Sequence, residues 1–391
     1  MTVKIYAGVD TGSTMVRGTL VSEEQEMVGE YSNYVGTLDL KDNQDPKKKV
    51  SEDAPFVDTL LLKISITHKQ KVQNDVANKL LTEINDKTWL AGNIAKNISA
   101  NAVQLKPNVR KSIQVETYIN ALSSLVCMMK ESDLREVNAH LRLLLPPTEF
   151  LEDNATKIVK STLENSLIRI ENKITDEVFT INLTTVDLRS EGQAAMAYAL
   201  VDENGVPTKL AEQVQGSNFI LFDGGENTFD VIRLENGKVI GGKIKTLAHG
   251  SKYTMSHLGG LIENQYKFRP SLEELRTIFD SGRLRIGANT VDVQSLISSA
   301  NREYVNMWYS EFDNYLITNG LNLQSIAGFI FVGGASKKSG EATTSMGDAF
   351  KAVVSQIVEG IPVYTPKDPR RANILGLQNQ LRMLRDREFA A

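Results

Sequence analysis

The sequence predicts an α/β fold with room for two domains, and three observations carry that expectation. Strand-like and helix-like segments interleave from end to end instead of segregating. A unit of strand, aspartate-containing turn and second strand occurs twice, near the amino terminus and again from Phe219. The chain has 391 residues, 41% of them hydrophobic and 24% charged, enough for two buried cores and too apolar for a disordered chain.

The first unit is Val3 to Val9, rich in β-formers and closed by Asp10, with a second strand over Met15 to Val21 beyond the turn DTGST. Leu38 to Phe56 is polar, proline-containing and dense in both charges, which predicts a solvated loop with Lys47, Lys48 and Lys49 on its exposed face. Leu60 to Ile66 reads as a strand. Val115, Tyr118, Ile119, Leu122, Leu125, Val126 and Met129 recur at helical spacing, so a long core helix is expected, with the single cysteine, Cys127, inside it. His140 to Leu145 is a strand stopped by Pro146 and Pro147, which cannot donate ladder hydrogen bonds. Phe179, Ile181 and Leu183 alternate in the next strand, which ends near Leu188, and the small-residue helix SEGQAAMAYAL then marks a domain boundary. The second unit is Phe219 to Phe222, closed by Asp223, followed by Phe229 to Leu234 and Lys238 to Ile240 joined through Asn236-Gly237. Ile326 to Val332 is a further strand that runs into Gly333-Gly334.

Composition narrows the function. A net charge of -4 removes the broad attraction that nonspecific nucleic-acid binding needs, so no direct nucleic-acid partner is expected. One cysteine cannot form an internal disulfide, and the four histidines lack metal-ligand spacing, which points to a reducing, cytoplasmic setting. No export signal is expected, because MTVKIYAGVD lacks a charged region followed by a long apolar run, and no membrane span, because nowhere do eighteen uncharged apolar residues stand together.

Two loops share one layout, Asp10 with Gly12 and Asp223 with Gly225, each followed by small hydroxylated residues. Glycine permits the tight backbone that points successive amides into a concavity, and such nests bind phosphate. A carboxylate beside the nest suits Mg²⁺, a hard cation that arrives with phosphates, so two facing loops could hold a nucleotide-metal complex. Either loop alone is an ordinary turn, and the recurrence is what gives the pair weight. Gly333-Gly334-Ala335-Ser336 would supply close backbone approach for a base and ribose. There is no GxxxxGK[ST] segment, so the P-loop solution is unavailable.

The segments VDTGSTMVRGTL, FDGGENTFDVIRLENGKVIGG and IFVGGASKK, in that order, resemble the first phosphate, second phosphate and adenosine motifs of the actin, DnaK-type chaperone and sugar-kinase superfamily. Within it, DTGST, WLAGNIAKN from Trp89, LLLPP, SEGQAAMAYAL and RRANILGL from Arg370 are most similar to bacterial actin-like proteins of the ParM/StbA plasmid-segregation type. The resemblance implies an actin-like fold of two related domains around a nucleotide cleft. Domain I would be 1–190 plus 366–391, with a small subdomain inserted near 35–110, and domain II would be 191–365.

It also implies roles. Asp10 would sit near Mg²⁺, while the amides of Thr11, Gly12, Ser13 and Thr14 cradle the β- and γ-phosphates. Asp223 would hold the metal's water shell or orient the attacking water, with Gly224, Gly225 and Thr228 in the second loop. Gly333, Gly334 and Ala335 would take the adenosine, and Glu191 would polarise water for in-line attack. Taken alone, Glu191 is equally a helix-start carboxylate favoured by the macrodipole. Where the second loop commonly carries glycines, this chain has Glu226 and Asn227, so either Glu226 points outward or the loop holds nucleotide differently. His249 and His257 are expected to serve packing or surface roles. The implied function is an ATP- and Mg²⁺-dependent ATPase whose filaments segregate plasmid DNA through a DNA-binding adaptor. The alternatives are a non-polymerising kinase or a nucleotide-binding scaffold of the same superfamily, whereas no region remains for a chaperone's peptide-binding domain.

Overall fold

Runs of β-branched and aromatic residues that end in an aspartate and a glycine organise both halves of the chain, and each run becomes the pivot strand of its sheet. The computed structural model describes residues 2–12, 15–37, 50–51, 54–99, 101–106, 109–202, 205–226, 228–236, 238–247, 250–338, 340 and 343–389. Ser13, Thr14, Asn227, Gly237, His249 and the segment 38–49 with its three lysines lie outside the described residues. Two compact units emerge, one of Met1–Ala197 with Asn373–Ala391 and one of Tyr198–Ala372.

The first unit holds a nine-stranded sheet. Its strands are β1 (Val3–Thr11), β2 (Met15–Val21), β3 (Glu26–Ser32), β4 (Val35–Thr37), β5 (Leu61–His68), β6 (Thr88–Ala91), β7 (Glu136–Leu145), β8 (Ser166–Asn172) and β9 (Val178–Ser190). They lie in the order β3-β2-β1-β7-β9-β8-β5-β6-β4. β1, β7 and β9 run parallel, while β1, β2 and β3 form an antiparallel meander. The helices are α1 (Asp75–Asp86), α2 (Asn93–Ile98), α3 (Val115–Glu131), α4 (Pro147–Phe150), α5 (Asp153–Leu163) and α6 (Glu191–Leu200).

Side chains alternate across a strand, and β1 uses both faces. Ile5, Ala7 and Val9 join a core shared with α3, which buries Tyr118, Ile119, Leu122, Leu125, Val126 and Met129 there. Tyr6 faces the other way and packs with Ile374, Leu377 and Leu381 of the closing helix, Ala372–Phe389. The α3 stripe is the one its spacing predicts. Fully burying such side chains stabilises by about 1.5–3 kcal/mol each, far more than the helix propensities involved. Cys127 sits in the same core at 1% exposure, and burial pushes its thiol pKa up.

The second unit repeats the plan with fewer strands. It contains β10 (Asn218–Gly224), β11 (Phe229–Glu235), β12 (Lys238–Leu247), β13 (Arg283–Ile286), β14 (Asn289–Asp292), β15 (Gly328–Val332) and β16 (Val363–Tyr364). The sheet order is β12-β11-β10-β15-β16, and β13 pairs with β14 as a separate hairpin. Again a meander, β10 to β12, flanks parallel strands, here β10, β15 and β16. The helices are α7 (Lys209–Val214), α8 (Ser251–Tyr266), α9 (Leu272–Ser281), α10 (Gln294–Thr318) and α11 (Met346–Val354). Phe222 is central to its core, with ring centroids of Phe331, Phe350, Trp308 and Phe312 at 4.7, 5.1, 5.2 and 5.2 Å.

Several strands run further than the sequence suggests. β1 includes Asp10 and Thr11, and β10 includes Asp223 and Gly224, so each aspartate is a strand residue and not a turn residue. Asp10 stands opposite Arg17, and Asp223 opposite Asp230, because the antiparallel ladder continues past the last apolar residue. β9 reaches Ser190 and hands directly to α6 at Glu191. β15 begins at Gly328, since the preceding turn Leu323–Ser325 absorbs the residues before it.

Candidate functional site

In the first unit the parallel strands fix the geometry. Val9 of β1 is opposite Leu143 of β7, and Leu143 is opposite Leu188 of β9, so Asp10 and Glu191 follow at the same sheet edge. Asp10 is 5% exposed. Burial raises its carboxyl pKa above the usual carboxylate range and the Glu191 carboxylate raises it further, while Lys111 and Arg17 oppose both. Lys111 Nζ donates to Glu191 Oε1 at 2.5 Å. Burial alone would lower the Lys111 pKa, but the Glu191 and Asp10 carboxylates outweigh it and the pKa is raised.

Sequence reasoning missed Lys111, which lies in a polar stretch with no recognisable spacing. It is held by Glu149 of α4, the short helix that Pro146 and Pro147 start where β7 ends. Glu149 is buried and its two oxygens accept from the backbone N–H groups of Lys111, at 2.9 Å, and Ser112, at 2.7 Å. Tyr118 of α3 donates its hydroxyl to the Ser112 carbonyl at 2.6 Å.

Thr11 is buried, and the Gly12 carbonyl accepts from Asn33 Nδ2 at 2.9 Å. Asn33 is fully buried and takes hydrogen bonds from Gln104 on its Oδ1, at 3.0 Å, and from Asn120 of α3 on its carbonyl, at 3.3 Å. An internal polar network therefore braces the start of the first loop.

The second unit brings the other predicted residues together. Gly333 adopts φ +85°, and a Cβ there would lie 2.5 Å from the Gly224 carbonyl oxygen and 2.6 Å from Asp223 Oδ1. A Cβ on Gly224 would lie 2.7 Å from Cβ of Ala335. Only glycine allows both the left-handed backbone and this contact, so the end of β10 meets the turn after β15 through Asp223, Gly224, Gly333 and Ala335. Gly334, Ala335 and Ser336 form a 3₁₀ turn, and the Gly333 N–H donates to the Pro369 carbonyl at 2.7 Å. Asp223 is 7% exposed, and Thr228 is half-buried beside Gly225.

The carbonyls of Gly225 and Glu226 accept from the N–H groups of Ser251 and Lys252, both at 2.9 Å. Two of the amides that a helix start leaves unsatisfied are thus spent on holding this loop to α8. Glu226 is not turned to solvent: its side chain is 12% exposed and pairs with Arg276 of α9. One turn on, Asp280 pairs with Lys337 at 3.3 Å and with Arg370 at 3.4 Å. His257 of α8 pairs with Glu303 of α10 at 2.5 Å. Among the described residues no group of three His, Cys, Asp or Glu side chains is placed to hold a metal, and no helix is long and apolar enough to cross a membrane.

No protein-family model and no sequence of a characterised protein matches the chain. Solved structures do. Actin-like protein Alp7A superposes with a TM-score of 0.72 at 16% identity, over 100% of this chain and 98% of that one. The fold is actin-like. The archaeal actin homolog Ta0583 gives 0.65 at 17% identity over 97% and 99% of the two chains, and apo pSK41 ParM gives 0.62 at 15% over 99% of both. Ta0583 has also been solved in complex with ADP, Bacillus thuringiensis ParM with AMPPNP, and a Clostridium botulinum ParM as a 15-stranded filament. The actin-like architecture foreseen from the order of the three motifs therefore holds for the whole chain.

Proposed function

We propose that this actin-like chain binds ATP with Mg²⁺, hydrolyses it slowly, and assembles into filaments that move plasmid DNA. The observation that carries the reading is the placing of Asp10 and Glu191 at the same end of the parallel strands β1, β7 and β9, with Lys111 hydrogen-bonded to the half-buried Glu191 and within electrostatic reach of the buried Asp10. A fold by itself does not specify a reaction, so the reading rests on this chemistry.

Mg²⁺ keeps most of its waters and asks for one or two carboxylates beside phosphate oxygens, a demand the buried Asp10 suits; bound there, it would neutralise charge on the phosphates. Asp10 would hold the metal, and the amides of Thr11 to Thr14 would take the phosphates. Gly224, Gly225 and Thr228 would form the second phosphate loop, with Asp223 holding a metal-bound water. Glu191 would orient the attacking water and accept its proton. Gly333, Gly334 and Ala335 would offer bare backbone to the adenosine, in line with the close approach that Gly333 and Gly224 permit. The nucleotide complexes and the filament among the structural neighbours support ATP as ligand and self-association as outcome. A DNA-binding adaptor would link the filament to its plasmid site.

Phosphate release and nucleotide-dependent pelleting of the purified protein test the reading together. Release with Mg-ATP, and pelleting with ATP but not without, is the expected result. A protein that transfers phosphate to a small molecule and never pellets would be a kinase instead.

A further inference from the structure

Lys111 is a buried cation that the roles above leave unused. Its side chain is 13% exposed and that of Glu191 16%, and among the described residues Glu191 is the one hydrogen-bond partner of Nζ. An ammonium carries three donors, so two remain unspent. Glu149, the third carboxylate nearby, is committed to the backbone N–H groups of Lys111 and Ser112. That bidentate clamp fixes the main chain from which the lysine reaches, and leaves its four-carbon stem as the adjustable part. The ammonium is hydrogen-bonded to Glu191, and Asp10 acts on it electrostatically without a hydrogen bond to it.

With Glu149 spent on the backbone, Asp10, Glu191 and Lys111 together carry one negative charge. A divalent cation on Asp10 turns the local sum from -1 to +1, and the ammonium then has less need of Glu191 than of an incoming anion. We propose that Lys111 distinguishes a nucleoside triphosphate from a diphosphate: its ammonium exchanges the Glu191 carboxylate for the terminal phosphate, and the exchange frees Glu191 to orient water. The inference rests on the nucleotide reading above and deepens it. Without nucleotide, Glu191 is occupied by the lysine and idle; with a diphosphate, the lysine returns to it. Lys111 in this role touches substrate and sets specificity.

The test compares affinities of the full-length protein for Mg-ADP and for Mg-AMPPNP, a non-hydrolysable triphosphate. Lys111→Met is expected to weaken Mg-AMPPNP binding roughly 10- to 100-fold, the range of a charge-assisted hydrogen bond, and to change Mg-ADP binding less than about threefold. Lys111→Arg, which keeps the charge, is expected to retain most of the preference. Because Lys111→Met strands the buried Asp10 and the half-buried Glu191, the same comparison is made in a Glu191→Gln background, where one charge leaves with the cation. There too the lysine variant must lose its preference for the triphosphate. Equal loss for both nucleotides, or loss for neither, overturns the inference while leaving the nucleotide reading intact. Failure of the wild-type protein to bind either nucleotide overturns both.

Discussion

Arg276 of α9 donates its guanidinium to Glu226, the residue that stands in the second loop where glycine is usual. For a carboxylate beside the proposed phosphate loop the pair has a consequence: the charge is neither exposed nor unbalanced. Removing Arg276 leaves Glu226 largely buried and uncompensated, and an anion placed nearby would meet its full repulsion.

Arg276→Ala is therefore expected to weaken Mg-nucleotide affinity on the order of 10-fold, and adding Glu226→Gln to restore most of the loss. Isothermal titration of the two single variants and the double variant measures the coupling. Additive losses would mean that the pair merely ties α9 to the loop.

Glu191→Ala should retain nucleotide binding and slow phosphate release by roughly 10²-fold, the usual contribution of a positioned base. Filaments of that variant should outlive those of the wild type, since the triphosphate persists in them, and light scattering after ATP depletion reports this. Wild-type phosphate release from the variant would remove Glu191 from catalysis.

Asp10→Ala should act earlier, on binding of the metal-nucleotide complex itself. Titration with Mg-ATP checks it, and unchanged affinity would dissociate Asp10 from the metal.

Acid should loosen the first unit through His140. Burial lowers its pKa below the ordinary histidine value, while Asp187, 3.2 Å away, works in the opposite direction. The unfolded chain then takes up a proton near pH ~6.5 while the folded chain resists until lower pH. Stability from this group is complete above about 6.5 and declines as pH falls through the folded-state value. His140→Gln should flatten the melting temperature between about pH 5 and 7, as read by differential scanning calorimetry.

Phe222→Ala should cost about 3–5 kcal/mol, the range for deleting a buried aromatic ring. Its neighbours Phe331, Phe350, Trp308 and Phe312 belong to one core, so amide exchange should rise across β10, β15 and α11 and leave α3 protected.

Much of this was legible in the sequence. The pivot strands announce themselves because Ile5–Val9 and Phe219–Phe222 are buried on both faces and so read as continuous runs without a charge. β3 escapes notice because Glu26, Gly29 and Glu30 interrupt its pattern, with only Tyr31 buried against the core. The β13–β14 hairpin has four-residue strands, too short for a period to show. Asp10 and Asp223 were visible as paired motifs. Lys111 and Arg276 were not, since each meets its carboxylate across a long stretch of sequence, 80 residues in one case and 50 in the other. Nothing local distinguishes either from a solvated cation.

The single thiol carries a practical consequence. Cys127 lies on α3 beneath a sheet, and its protonated form is strongly favoured there. A thiol must ionise to react with an alkylating reagent, so this one stays silent while the first unit is intact. Its labelling rate becomes a clock for that unit's opening, readable in intact protein by mass spectrometry without any engineered probe. Slower labelling when nucleotide is added would give the binding free energy in the currency of unfolding, independently of turnover or assembly.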